Sequence, residues 1–247
     1  MTTTAPRLLQ VRRSVRITPR MVRVTLHGDE LAGFPGEGPD RRIKMFFPVA
    51  GQERPAVPRA TSGGPLWPPG EARPTIRTYT VRRFDAGAGE LDVDFVLHHG
   101  HGPAAAWARD AEPGAWVGVS EPGGRYEPDG AAQHHLVIGD ETALPAVATV
   151  LDALPRGVPA HAYLEVEDAG EEQELPGNAE IHWVHRGDRP PGEPLAEAVR
   201  AAELPRGRGQ AWLSGESGCV KDLRLHLLGE RGFDRRAVYA TGYWRAR

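Results

Sequence analysis

The sequence predicts two consecutive domains: an antiparallel six-stranded β-barrel over residues 1–130, then a parallel-sheet α/β domain over residues 131–247. Three observations carry this. The front half holds short alternating runs between Gly, Pro and Asp, as half-buried strands require. The back half alternates apolar runs with helical stretches, the pattern of a parallel sheet covered by helices. The change falls at residues 130–133, after a Gly- and Pro-rich stretch.

In the front half the predicted strands are "LQVRRSVRIT", "MVRVTLHG", "RRIKMFFP", "TIRTYTVRRF", "ELDVDFVLHH" and "AWVGVSEPGG". Six such runs with turns between them make a small antiparallel barrel. Residues 48–74 are rich in Pro and Gly and lack a period, so they are expected to be a long surface loop. "GPAAAWARDAEPG" reads as a helix, with Pro at its start and Pro-Gly at its end.

In the back half, "HHLVIGD" is a run without alternation, as in a strand buried on both faces. A helix ("ETALPAVATVLDALP") and two strands ("AHAYLEVED", "EIHWVHRG") follow. Then come a helix ("PLAEAVRAAELP"), a strand ("GQAWLSGE"), a helix ("SGCVKDLRLHLLGERG") and a last strand ("RRAVYATGYW").

Composition narrows the function. Hydrophobic content of 40% and charged content of 26% are those of an ordinary globular protein. The sequence has no apolar run of membrane-spanning length and no signal-peptide pattern, so the cytoplasm is the expected compartment and no membrane partner is expected. A net charge of -3 gives no reason to expect nucleic acid. The single cysteine, Cys219, excludes an internal disulfide and a cysteine-ligated iron–sulfur cluster, so electron handling would need an organic cofactor.

Three segments bear chemistry. "IGDETALPA" is a strand end entering a helix, and "WLSGES" repeats that arrangement; each is either an ordinary capped turn or a seat for a dinucleotide pyrophosphate. "FVLHHGHGPAAAWA" has three histidines within four residues. His98 and His99 would point to opposite sides of a strand, so a metal is not expected there. Gly100, Gly102 and the helix start at Pro103 instead offer backbone N–H groups to an anion, or form a plain turn. In "RTYT", Arg77 and Tyr79 share one face and Thr78 and Thr80 the other. The segment supplies a phosphate-gripping cation, a flat ring and a hydroxyl, or it is a half-buried strand with a surface arginine.

Taken in order, "RTYTVR", "DVDFVLHHGHGPAAAWA", "PGAWVGVSEPGG", "GDETALPA", "GCVKDLRLHLLGERGFDR" and "TGYWR" resemble the siderophore-interacting proteins. These are ferric-siderophore reductases within the ferredoxin-reductase-like flavoproteins, and the resemblance runs from about residue 10 onward. It implies a barrel that binds FAD and a second domain that binds NADPH or NADH. Arg77, Tyr79 and Thr80 would meet the phosphate, ring face and ring edge of FAD. Asp94, His98, Gly102, Pro103, Ala104 and Ala105 would line the rest of the flavin site. The family commonly has a small hydroxyl residue where Ala105 stands, and Gly where His99 stands.

Asp140, Glu141, Thr142, Ala143 and Pro145 would face the nicotinamide cofactor, with Ser214, Gly215 and Glu216 nearby. Glu165 and Glu167 stand where an acid would favour a ribose hydroxyl, and Arg186 where a cation would favour a 2′-phosphate. The resemblance tilts the expectation to NADPH. Trp244 would shield the flavin. Lys44 and Arg245, with Arg42 nearby, would dock an anionic ferric siderophore.

The implied chemistry is hydride transfer from NAD(P)H to the flavin, then single electrons to chelated Fe(III), with no acid, base or nucleophile from the protein and no bound metal cofactor. A monomer is expected. A flavin reductase for a quinone or partner oxygenase, and a non-catalytic siderophore carrier, remain the alternatives.

Overall fold

The computed structural model describes residues 5–97, 102–124 and 126–246. The chain divides into two compact units, Met1–Arg125 and Tyr126–Arg247.

The first unit contains β1 (Arg7–Thr18), β2 (Met21–His27), β3 (Arg42–Phe47), β4 (Arg59–Thr61), β5 (Gly64–Leu66), β6 (Thr75–Thr80), β7 (Arg83–Asp85), β8 (Glu90–Val96), α1 (Pro103–Arg109) and β9 (Trp116–Val119). Its main sheet has the order β6-β3-β9-β1-β2-β8-β7, with every pairing antiparallel.

The predicted strand "TIRTYTVRRF" is divided, which makes seven strands of six predicted runs. The reason lies in the backbone ladder. Val81 N–H donates to Arg41 O (2.8 Å) beside β3, whereas Arg82 N–H donates to Asp92 O (2.9 Å) on β8. One stretch of chain therefore pairs with both ends of the sheet and closes it into a barrel-like form. Leu9, Val24, Ile43, Met45, Leu91, Val93 and Phe95 fill the interior. Ala104, Ala105 and Ala108 of α1 pack against them, and Trp107 stands 5.1 Å from Phe47.

The outer side of β8 is also buried, for a different reason. Glu90, Asp92 and Asp94 alternate with its apolar residues and lie beneath arginines. Arg13 meets Glu90 through two hydrogen bonds of 2.7 Å, and Arg23 meets Asp94 through bonds of 2.6 and 2.7 Å. Residues 48–74, expected as a long surface loop, contain the β4–β5 hairpin. Strands of three residues carry too little pattern to be read from sequence. Arg54 over Trp116 (3.8 Å) and Arg73 over Trp67 (4.1 Å) are cation–π contacts at either end of the segment.

The second unit contains β10 (His134–Asp140), α2 (Leu144–Ala153), β11 (Ala160–Val166), β12 (Glu180–His185), α3 (Glu193–Ala201), β13 (Gly209–Glu216), α4 (Ser217–Gly229) and β14 (Val238–Trp244). All strand pairs are parallel, in the order β12-β11-β10-β13-β14. Leu136, Ile138 and Leu213 face α3 and α4. Gly139 faces the other way, towards Ala143 and Val147 at the start of α2. The chain winds outward from β10 to β12 and returns to β13 on the far side of β10. The carboxyl ends of β10 and β13 thus flank a topological switch point, where open α/β sheets hold their ligands.

Candidate functional site

At that switch point one carboxylate organises three strand ends. Asp140, the last residue of β10, is buried. Its Oδ1 accepts from the backbone N–H (2.9 Å) and the hydroxyl (2.5 Å) of Thr142. Its Oδ2 accepts from the Glu216 N–H (2.8 Å) on β13 and from Trp244 Nε1 (2.7 Å) on β14. Burial, with the adjacent charge of Glu141, pushes its pKa up to about 6, against the stabilising hydrogen bonds from Thr142 and Trp244. Gly215 must be glycine: its φ is +145°, and a Cβ there would stand 2.6 Å from Asp140 Oδ2.

Beside Asp140 a cleft is lined by Ser214, Gly215, Gly192, Cys219 and Leu195. Ser214 Oγ is buried and has no hydrogen-bond partner, but Leu213 faces α3 and α4, so the neighbouring Ser214 side chain lies on the other side of β13, beside Gly139 and α2. The starts of α3 and α4 border the same cleft, and each is capped by a carboxylate. Glu216 Oε2 accepts from Cys219 N–H (2.8 Å), and Glu165 accepts from the Gly192 and Leu195 N–H groups (2.9 and 3.2 Å).

Glu165, expected at a ribose, is therefore placed otherwise. It is wholly buried, and its oxygens are committed to capping α3. Arg186 is likewise engaged, 2.8 Å from Glu141, 3.4 Å from Glu165 and 3.5 Å from Glu167. Ala143 and Pro145 are buried in the turn into α2. Cys219 is held protonated: burial and the surrounding acids push its thiol up to about 12.

In the first unit, β6 ends at Thr80, which is buried. Arg77 is exposed and donates to Ile76 O (2.8 Å). The half-buried Tyr79 ring packs 4.3 Å from Phe95, and burial outweighs the charge of Arg77 to push its pKa up to about 12. Gly102 precedes α1 without a side-chain cap, and a Cβ at Gly102 would meet open space. The protein's own packing thus places no demand for glycine there, and the backbone is left open to close approach. Ala104 and Ala105 point into the core, so their backbones rather than their side chains are what they can offer a ligand. Asp94 is occupied by Arg23, with Arg82 at 3.9 Å. His98 and His99 lie outside the described residues.

Residues 10–126 match the model of the siderophore-interacting FAD-binding domain, and residues 132–247 match that of the siderophore-interacting protein. The chain belongs to the siderophore-interacting protein family. It is 33% identical over 244 residues to the ferric vibriobactin reductase ViuB of Vibrio cholerae, across 97% of this chain and 89% of that one. A siderophore utilization protein from T. fusca is 42% identical, with a TM-score of 0.85 over 97% of this chain and 92% of that structure. A ferredoxin NADP+ reductase from Neisseria gonorrhoeae shares the fold at 13% identity, with a TM-score of 0.67 over 97% of this chain and 99% of that one. The architecture is that of the ferredoxin reductases.

Of the residues expected to serve this family's chemistry, the second unit brings Asp140, Thr142, Gly215, Glu216 and Trp244 together. Sequence reasoning missed the link from Asp140 to Trp244, because 104 residues separate the partners. It also missed Gly192, which lines the cleft with φ +86°. The Pro-Pro-Gly just before α3 was the available signal. Lys44 is exposed on β3, Arg42 lies 3.7 Å from Asp40, and Arg245 is exposed just after β14. No helix among the described residues is long and apolar enough to cross a membrane.

Proposed function

We propose that the protein is an FAD-dependent reductase that draws electrons from a reduced nicotinamide dinucleotide and delivers them to Fe(III) held by a siderophore. The observation that carries this reading is that the chain belongs to the siderophore-interacting family and is similar to a ferric vibriobactin reductase, with a cleft at the switch point of its parallel sheet. FAD, when bound, supplies the conversion of a two-electron hydride donor into single-electron steps. The net reaction converts two Fe(III) to two Fe(II) for each NAD(P)H oxidised, with release of one proton.

The protein's own residues bind and orient. Arg77 and the first N–H groups of α1 answer phosphate charge, Gly102 admits the backbone closely, Tyr79 presents a ring face and Thr80 a hydroxyl at the strand end. In the second unit Asp140 is a positioning residue that fixes Thr142, Glu216 and Trp244. The acidic surround of Arg186 supports NADH over NADPH: a 2′-phosphate would meet Glu141 and Glu167 around a guanidinium they already engage. Lys44 and Arg245, with Arg42, would attract an anionic chelate. Siderophores bind hard Fe(III) through oxygen far better than Fe(II), so reduction frees the metal. We place this reaction in the cytoplasm, with the enzyme as a monomer.

The test is an absorption spectrum of the purified protein, then NADH and a ferric chelate with an Fe(II) trap. Flavin absorbance that bleaches on NADH, followed by trapped Fe(II), is expected. Colourless protein that takes up no added FAD would identify a carrier. Faster turnover with a quinone than with any ferric chelate would identify a flavin reductase of another kind.

A further inference from the structure

The amino ends of the same parallel strands, opposite the cleft, hold a second cluster. The β11–β12 register sets His161 beside Glu180 and Tyr163 beside His182. Residues two apart on a strand point the same way, so all four side chains share one face. His161 Nδ1 lies 3.4 Å from Glu180 Oε2, and His182 Nε2 lies 3.4 Å from Glu180 Oε1. One ligand atom from each of the three residues falls within 4.8 Å of the others.

The separation from Glu180 does not satisfy His182 Nε2. His182 Nε2 is buried and makes no hydrogen bond despite its closeness to the carboxylate. The two separations to Glu180 do match the edges of a metal polyhedron, since tetrahedral bonds of about 2.0–2.1 Å set neighbouring ligand atoms about 3.3 Å apart. The rings are also held in place. Tyr163 stacks on His182 at 4.4 Å and 11°, and the His161 and His182 rings lie 6.0 Å apart at 16°.

We propose that His161, Glu180 and His182 form a binding site for a borderline divalent cation such as zinc, through two imidazoles and one carboxylate, with a further position open to water. Two nitrogen donors select against Mg²⁺ and Ca²⁺, which take oxygen, and leave Cu²⁺ and Ni²⁺ as competitors. Glu180 is largely exposed, so the ion has a path in from solvent. Bound there, it would clamp the edge strand β12 to β11. The site is separate from the nicotinamide cleft and does not depend on the redox reading.

The test uses untagged protein stripped with a chelator and titrated with Zn²⁺ against a chromophoric competitor, with thermal unfolding in parallel. Saturable binding with a Kd at or below about 10 µM and a raised Tm are expected. Glu180→Gln changes an exposed side chain and leaves the fold intact. It should weaken binding about tenfold or more, as should His161→Ala and His182→Ala. His185→Ala is the control, since His185 pairs with Glu172 at 2.7 Å, and should bind as the parent does. The site is refuted if the parent shows no saturable binding, or if the His161→Ala/His182→Ala double variant binds Zn²⁺ unchanged. It is equally refuted if replacing His98, His99 and His101 abolishes the signal while Glu180→Gln does not.

Discussion

The two units assemble their candidate ligand contacts in different ways. In the antiparallel unit, Arg77, Tyr79 and Thr80 come from the end of one strand, and Gly102 opens a helix a short distance along the chain. In the parallel unit, three strand ends far apart in sequence converge on the Asp140 carboxylate. The first arrangement has exposed members, Arg77 and Gly102, beside the packed Tyr79, whereas the second is held by a buried polar hub. The exposed Arg77 and Gly102 can therefore be changed cheaply, whereas Tyr79 packs on the core and Thr80 is buried, and the second unit couples binding to stability throughout.

The largest effect is expected at that hub. Asp140→Ala strands the Trp244 indole N–H and the Glu216 amide in a buried setting and should cost about 3–5 kcal/mol, read by urea unfolding. Gly215→Ala adds positive-φ strain and the 2.6 Å clash and should cost a similar amount. If either variant unfolds like the parent, the contrast between the units fails.

Next comes pH. Asp140 has a folded pKa of about 6, above its ordinary value of 3.8, so the folded state holds its proton more tightly than the unfolded state. The contribution from this group is present in full below pH 3.8 and lost as pH rises through 6. Relative to Asp140→Asn, which does not titrate, the parent should lose about 3 kcal/mol across that window. A stability difference between the two that is flat from pH 4 to pH 7 would remove the hub's ionisation from the argument.

Gly102→Ala tests the open side of the contrast. The residue has φ −62° and ψ 124°, and a Cβ meets open space. Stability should change by no more than about 0.5 kcal/mol. FAD affinity should nevertheless fall about tenfold, a loss of about 1.4 kcal/mol in binding. Unaltered FAD affinity would show that this backbone does not approach the cofactor. The smallest effect is expected from Lys44→Ala with Arg245→Ala. The KM for an anionic ferric chelate should rise about two- to fivefold, less so at high salt, with flavin content unchanged.

Much of the fold was readable because strand alternation and β/α succession are local signals. "GQAWLSGE" became β13 without a residue gained or lost, and "HHLVIGD" became β10. The division of "TIRTYTVRRF" was not readable, since Val81 and Arg82 change partner through backbone groups that every residue carries. Glu165 misled because an acid at a strand end looks the same in sequence whether it meets a ribose or caps a helix in the core. The His161, Glu180 and His182 cluster depends on the register of two strands, which spacing along one of them cannot supply.

The reach from Asp140 to Trp244 has a consequence for how the protein is made. A chain synthesised from its amino end makes Asp140 well before Trp244, so this carboxylate waits on the ribosome without its indole donor. The hub is then completed only when β14 docks, and a chain clipped before Trp244 leaves Asp140 Oδ2 without its indole donor.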